Sequence, residues 1–201
     1  MQDLKNILNH YEPHPLGQER CYAVFLPLIW NGKSGWEVLY QVRSEGISQP
    51  GEVAFPGGAV EKGETFEQAA IRETMEELKL PSQKIDLWGE IDYLVSNQQT
   101  IHCFVGQLFV ENWQSIQPNE EVERLFTIPL EKLKNQPPTY YRLETEVQAT
   151  GDFPFERIRN GRKYKFSHYD RRIPFYDIGD ENLWGMTAQF THRFTEILEG
   201  K

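Results

Sequence analysis

The chain has 201 residues, 39% of them hydrophobic and 25% charged, which is enough for one sizeable core and too few to assume two full domains. Its net charge of −9 disfavours partners held through the nucleic-acid backbone, unless a local basic patch supplies the attraction. No apolar run approaches bilayer length, so no membrane segment is expected, and the sequence holds no internal repeat or low-complexity tract.

Taken in order, MQDLKNILNHYEPHPLG lacks an apolar h-region, so it does not read as a secretory signal. Residues 1–20 are expected to form an N-terminal segment ahead of a domain at 21–201. Within that segment, Asp3 to Tyr11 predicts a short amphipathic helix with Leu4, Ile7 and Leu8 on one side. CYAVFLPLIW (21–30) predicts a buried strand, GWEVLYQVR (35–43) an alternating one, and NGKSG a hairpin connection between them. RSEGISQPGE reads as loop, and VAF as a short strand running into Pro56.

The clearest helix is predicted over 66–78. Thr65 and Gln68 fit a capping box, Ile71, Thr74, Met75 and Leu78 make a mostly apolar stripe, and Pro81 ends the helix. Glu73, Glu76 and Glu77 fall on the opposite face, flanked by Ala69 and Ala70, which are small enough for another backbone to approach. Beyond it, IDLWGEIDYLVS and TIHCFVGQLFV predict strands, and EEVERLFTIPLEKLKN a turn and a short helix. Asn160-Gly161 predicts a hairpin within 155–166, and 182–198 a C-terminal helix carrying Trp184 and Phe190 as core residues. Strands mixed with flanking helices indicate an α/β or α+β layered domain.

The chemistry concentrates between Gly51 and Leu78, where Glu73, Glu76 and Glu77 share a helical face just behind a loop carrying Gly57, Gly58 and Gly63. Glutamates three and four residues apart repel one another, and carboxylates in a last turn oppose the helix dipole, so a cation is expected beside them. Glu73 and Glu77 stand one turn apart and can converge on one ion, with Glu76 beside them. Gly57 and Gly58, after the rigid Pro56, let a backbone carbonyl approach the same ion. Hard oxygen donors of this kind suit Mg²⁺ or Mn²⁺, which would bridge substrate phosphates. Arg72 and Glu64 are placed to pair and hold the loop to the helix.

Other features carry weaker signals. Glu156 to Arg172 holds seven Lys or Arg residues interleaved with Tyr164, Phe166 and Tyr169, which suits either phosphate and adenine binding or an exposed hairpin. His10, His14, His102, His168 and His192 show no zinc-ligand spacing and are expected to be structural or exposed. Cys21 and Cys103, also without ligand spacing, read as reduced thiols of a cytoplasmic protein.

The loop and helix resemble the signature of the Nudix hydrolases, G-x5-E-x7-R-E-U-x-E-E-x-G-U, where U is bulky and apolar. It falls on Gly58, Glu64, Arg72, Glu73, Thr74, Glu76, Glu77 and Leu80, with Thr74 replacing an apolar residue and Lys79 standing in the glycine position. The resemblance implies an α/β/α sandwich around a mixed sheet, here over residues 21–201 with a C-terminal extension. It also implies metal-assisted attack of water on the pyrophosphate of a nucleoside diphosphate derivative. Glu73 and Glu77 would be the principal metal ligands, with Glu76 sharing and a carbonyl of Gly57 or Gly58 completing the set. The general base in this family often comes from outside the signature, and Glu121 is the candidate here.

VLYQVRSEGISQPGEVAFPGG further resembles the signature of the coenzyme A pyrophosphatase branch, L-L-T-x-R-S-x3-R-x3-G-x3-F-P-G-G. Leu39, Arg43, Ser44, Gly51, Phe55, Pro56, Gly57 and Gly58 have counterparts; Gln41 takes the threonine position, and Ser48 falls where the second arginine belongs. NEEVERLFTIPLEKL and RIPFYDIGDENLWGMTAQF resemble later segments of the same branch. The implied substrate is coenzyme A or a derivative, with Arg43 on a phosphate and no nucleic-acid or membrane partner; monomer and homodimer both stay open. The alternatives are another Nudix substrate, such as ADP-ribose or NADH, or a nucleotide sensor that does not cleave.

Overall fold

The computed structural model describes residues 2–12, 16–17, 20–33, 35–96, 99–146, 148–149, 151–166 and 170–201. In chain order its elements are α1 (Gln2–Asn9), β1 (Arg20–Asn31), β2 (Gly35–Arg43), β3 (Val53–Ala54), β4 (Gly57–Ala59), α2 (Phe66–Leu78), β5 (Ile85–Glu90), β6 (Leu94–Ser96) and β7 (Gln99–Leu108). These are followed by β8 (Val122–Pro129), α3 (Leu130–Asn135), β9 (Thr139–Leu143), β10 (Arg171–Phe175) and α4 (Gly185–Leu198). The mixture of strands and flanking helices is the α+β class expected. None of the helices among the described residues is long and apolar enough to cross a membrane.

The chain forms two compact units, Met1–Leu28 with Pro56–Asn119, and Ile29–Phe55 with Glu120–Lys201. In the first, β1 and β7 run parallel, while β4 pairs antiparallel with β1, and β5 and β6 with β7. This gives the mixed sheet that the sequence implied. Parallel neighbours need a long crossover, and α2 lies within the one joining β1 to β7. Ala23, Phe25, Leu26, Cys103 and Leu108 bury the sheet, and Ala69 and Ala70 are fully buried on the helix. The exposed Leu4, Ile7 and Leu8 make α1 amphipathic without covering its apolar side.

α2 begins where local chemistry dictates. Thr65 Oγ1 accepts from the Gln68 amide at 3.2 Å, and the Gln68 side chain accepts from the Thr65 amide at 2.9 Å, closing the predicted box. The helix ends at Lys79, which adopts the left-handed conformation (φ 50°, ψ 42°) usual for a capping glycine. Burial corrects the predicted stripe. Thr74 and Leu78 are buried, but Ile71 and Met75 are only half so, and Glu77, expected on the outer face, is 2% exposed. A helix that meets its sheet through alanines rotates its smallest side toward the backbone, which carries Glu77 inward.

In the second unit, β2 pairs antiparallel with β3 and β8. Tyr40 on β2 is fully buried, stacked between Phe55 and Phe126 at 5.2 Å each, and its hydroxyl meets Thr191 Oγ1 of α4 at 3.1 Å. Helix α4 also fixes the chain around β3: Trp184 Nε1 donates to Glu52 Oε2 at 2.7 Å, and Thr187 Oγ1 to the Val53 carbonyl at 2.9 Å. Phe190 is core as predicted, whereas Trp184 is half-buried and stacks on Phe175.

Two elements differ from the sequence expectation. The turn predicted in EEVERLFTIP is strand β8, because β2 supplies a ladder partner no local pattern reveals. The hairpin predicted at Asn160-Gly161 has the turn without the strands. Both residues take positive φ (77° and 52°), but their flanks are short 3₁₀ turns, Phe155–Arg157 and Gly161–Lys163. With basic residues on both sides of that chain there is no apolar face to bury, and the region's antiparallel pair forms instead from β9 and β10.

Candidate active site

The site lies in the first unit, where β4 enters a loop that leads into α2. Gly57 Nα donates to Glu77 Oε2 at 3.0 Å, so the buried carboxylate is fixed by the first glycine of the loop. Gly58 presents bare backbone to Glu73. A Cβ at Gly58 would lie 2.7 Å from Glu73 Oε2 and nearer still to Cδ and Oε1, a space only glycine leaves open. The end of α2 is tied down as well, the Glu77 carbonyl accepting from the Asn119 amide at 2.8 Å.

Arg72 is the hub of the loop. Its Nε and Nη2 donate to the two oxygens of Glu64 at 2.9 and 3.1 Å, a two-pronged pairing, and Nη2 also reaches the Ala59 carbonyl at 3.0 Å. Its Nη1 donates to Glu73 Oε1 at 2.8 Å and to Glu76 Oε2 at 3.3 Å. Glu64 in turn accepts from the Glu61 amide at 2.9 Å. The Arg72 bond, followed by that amide, holds the Glu64 carboxyl below the usual carboxylate range, and Glu64 in return pushes the guanidinium above its ordinary value. The ion pair expected from sequence is therefore present, and the carbonyl of Ala59 is a partner sequence reasoning missed.

Glu73, Glu76 and Glu77 do not converge as they stand: no group of three His, Cys, Asp or Glu side chains is gathered for an ion among the described residues. Arg72 draws Glu73 and Glu76 toward itself, the Gly57 amide takes Glu77, and Glu76 is more than half exposed. The donor set nonetheless fits a hard divalent cation, because three carboxylates within little more than one helical turn and two side-chain-free backbone units share one small region.

Arg43, Glu121 and the basic segment lie in the second unit. Arg43 turns back on its own loop, with Nε donating to the Ser48 carbonyl at 2.8 Å and Nη2 to Ser48 Oγ at 3.1 Å. Thus the residue replacing the branch arginine is the partner of Arg43. Glu120 and Glu121 form a nearby turn whose carbonyls accept from the Ser44 hydroxyl and amide, at 2.7 and 2.9 Å. In the basic segment, Arg162 covers the Phe155 ring at 4.8 Å, and Arg172 covers Tyr140 at 5.2 Å. Tyr169, His14 and His168 fall outside the described residues.

A glycine loop feeding a capped helix with a Glu-Arg clamp and three glutamates in the signature register defines a class, and the NUDIX domain model matches residues 19–149. The chain belongs to the Nudix hydrolases and is a pyrophosphohydrolase. Among its relatives, Nudix hydrolase 3 of Caenorhabditis elegans is 32% identical over 88% of this chain and 72% of its own. The human mitochondrial coenzyme A diphosphatase NUDT8 is 30% identical over 88% of this chain and 68% of its own. The solved MutT/nudix family protein of Enterococcus faecalis matches in fold, with a TM-score of 0.54 at 12% identity, covering 99% of this chain and 70% of that one.

Proposed function

We propose that this enzyme hydrolyses the pyrophosphate bond of coenzyme A or a close derivative, giving adenosine 3′,5′-bisphosphate and 4′-phosphopantetheine. The observation that carries the hydrolytic reading is the packing of Gly57 and Gly58 against Glu77 and Glu73. The substrate rests on the flanking branch signature and on relatives, such as human NUDT8, that are named coenzyme A diphosphatases.

In this reading Glu73, Glu76 and Glu77, with a carbonyl of Gly57 or Gly58, hold Mg²⁺ or Mn²⁺. When bound, such an ion neutralises phosphate charge and lowers the pKa of a coordinated water. Arg72 keeps Glu73 oriented and, through Glu64, keeps the glycine loop on the helix. Glu121 is the proposed acceptor of the water proton. Arg43 is oriented by Ser48 through two of its five N–H groups, leaving others as donors to a substrate phosphate. We read the protein as cytoplasmic, with 21–201 as one Nudix domain; its two cysteines are free thiols.

Mass-spectrometric product analysis with Mg²⁺ against coenzyme A, ADP-ribose and NADH tests the substrate. Rapid cleavage of either alternative with none of coenzyme A would reject it. Glu77→Gln tests the chemistry, since the amide oxygen can still accept from Gly57 while the charge is gone. Turnover should fall by orders of magnitude with the fold intact. A nucleotide sensor would have no metal-dependent turnover to lose.

A further inference from the structure

Besides the glycine loop, helix α2 meets the sheet at its first turn. Gly58, Ala23 and His102 are aligned across β4, β1 and β7, and so share one face of the sheet. Glu73 meets that row at Gly58, and Phe66 meets it at His102, where the two rings stack with centroids 3.6 Å apart at 27°. The spacings agree. Seven residues of helix rise about 10.5 Å, and two strand separations are about 9.6 Å. Hence α2 crosses the strands like a bar pinned at two places, its first residue on an imidazole and its middle on Gly58.

That imidazole is itself fixed. The Tyr93 ring stacks on it at 4.8 Å and 10°, and His102 Nδ1 is hydrogen-bonded to Glu90 Oε1. The stack is anchored in the sheet, because Ile91 Nα donates to the Cys103 carbonyl at 2.9 Å, beside both residues. A histidine without ligand spacing thus lies under the first residue of α2 and packs that end of the helix on the sheet.

We infer that His102 is a positioning residue: clamped by Glu90 and Tyr93, it sets the location of α2 through Phe66, and thereby places Glu73 and Glu77 against Gly58 and Gly57. This rests on the metal-binding reading above. Removing one pin lets the bar slide or tilt, and an error of a fraction of an ångström at the carboxylates weakens ion binding before it unfolds the protein.

The test is titration of the full chain with Mn²⁺ alone, followed by calorimetry, together with thermal unfolding. His102→Ala should weaken Mn²⁺ binding by up to about tenfold, the low end of the loss seen when a partner bonded directly to a metal ligand is removed, because His102 acts one contact further out through Phe66. His102→Phe, which keeps a ring for Phe66 but loses the Glu90 bond, should bind Mn²⁺ more tightly than His102→Ala and more weakly than the parent. Phe190→Leu, in the other unit, serves as a control for general destabilisation and should lower the unfolding midpoint without moving Mn²⁺ affinity. Unchanged affinity in His102→Ala, or an equal shift in Phe190→Leu, would overturn the inference alone. Failure of the parent to bind Mn²⁺ would remove the metal reading and this inference with it. If His102→Ala does not fold, Tyr93→Leu, at an exposed position, asks the same question, and unchanged affinity there also counts against the clamp.

Discussion

Gly58→Ala separates chemistry from stability. The new methyl would stand 2.7 Å from Glu73 Oε2 and closer to the rest of that carboxylate, whereas ordinary contact begins at 3.4 Å, so the group must retreat by at least about 0.7 Å. It can do so, because the obstacle is the end of a flexible side chain. The loss is one part-exposed contact to Arg72, about 1 kcal/mol or less, which in a chain of this size lowers Tm by about 2–4 °C. Activity pays more: a misplacement approaching 1 Å costs about 10²-fold in kcat. Gly57→Ala is the counterpart. Its methyl would lie 2.6 Å from Val24 Cα and 2.8 Å from Val24 Cγ1, and nearer to the Ala23 carbonyl, where the strand cannot step aside. That variant should lose about 1–3 kcal/mol of stability or more. Thermal melts and steady-state turnover on both variants decide the matter. Full activity in Gly58→Ala would mean that Glu73 is not held where the chemistry needs it.

Two further outcomes follow from the same geometry. Lys79→Gly should stabilise the protein by about 1 kcal/mol, because a side chain in the left-handed region costs about that much; a lower unfolding midpoint would refute this. At the alkaline end, burial pushes the Tyr40 hydroxyl far above its ordinary value, and burial raises Tyr176 as well. The folded chain holds these protons while the unfolded chain releases them near pH 10, so the stabilisation is intact below about pH 10 and drains away as pH rises further. Tyr40→Phe should flatten the alkaline limb of a denaturant-midpoint profile, and an unchanged limb would show that the ring titrates while folded.

What could be read from the sequence was what is decided locally. The start of α2 is set by Thr65 and Gln68, three residues apart, and both ends of the box were visible. The ion pair of Arg72 with Glu64 followed from their places on the helix and the loop it faces. Glu77 was misplaced because its burial depends on Gly57, twenty residues earlier, which donates to it. Strand β8 was missed for a similar reason, its ladder partner β2 lying some eighty residues upstream. At Asn160-Gly161 the dihedrals were foreseen, yet a turn does not make a hairpin when neither flank has a face to bury. Lys79 carried the opposite lesson: the glycine was lost and the conformation kept, since the chain must still turn from helix toward Pro81.

The bonds from α4 to the segment around β3 join positions 132 and 134 residues apart. At about 5–20 residues per second on the ribosome, Val53 emerges about 7–27 s before the hydroxyl that will bond its carbonyl. Throughout that interval water must serve as the stand-in donor, so the stretch leading into Gly57 is among the last parts of a newborn chain to be sealed.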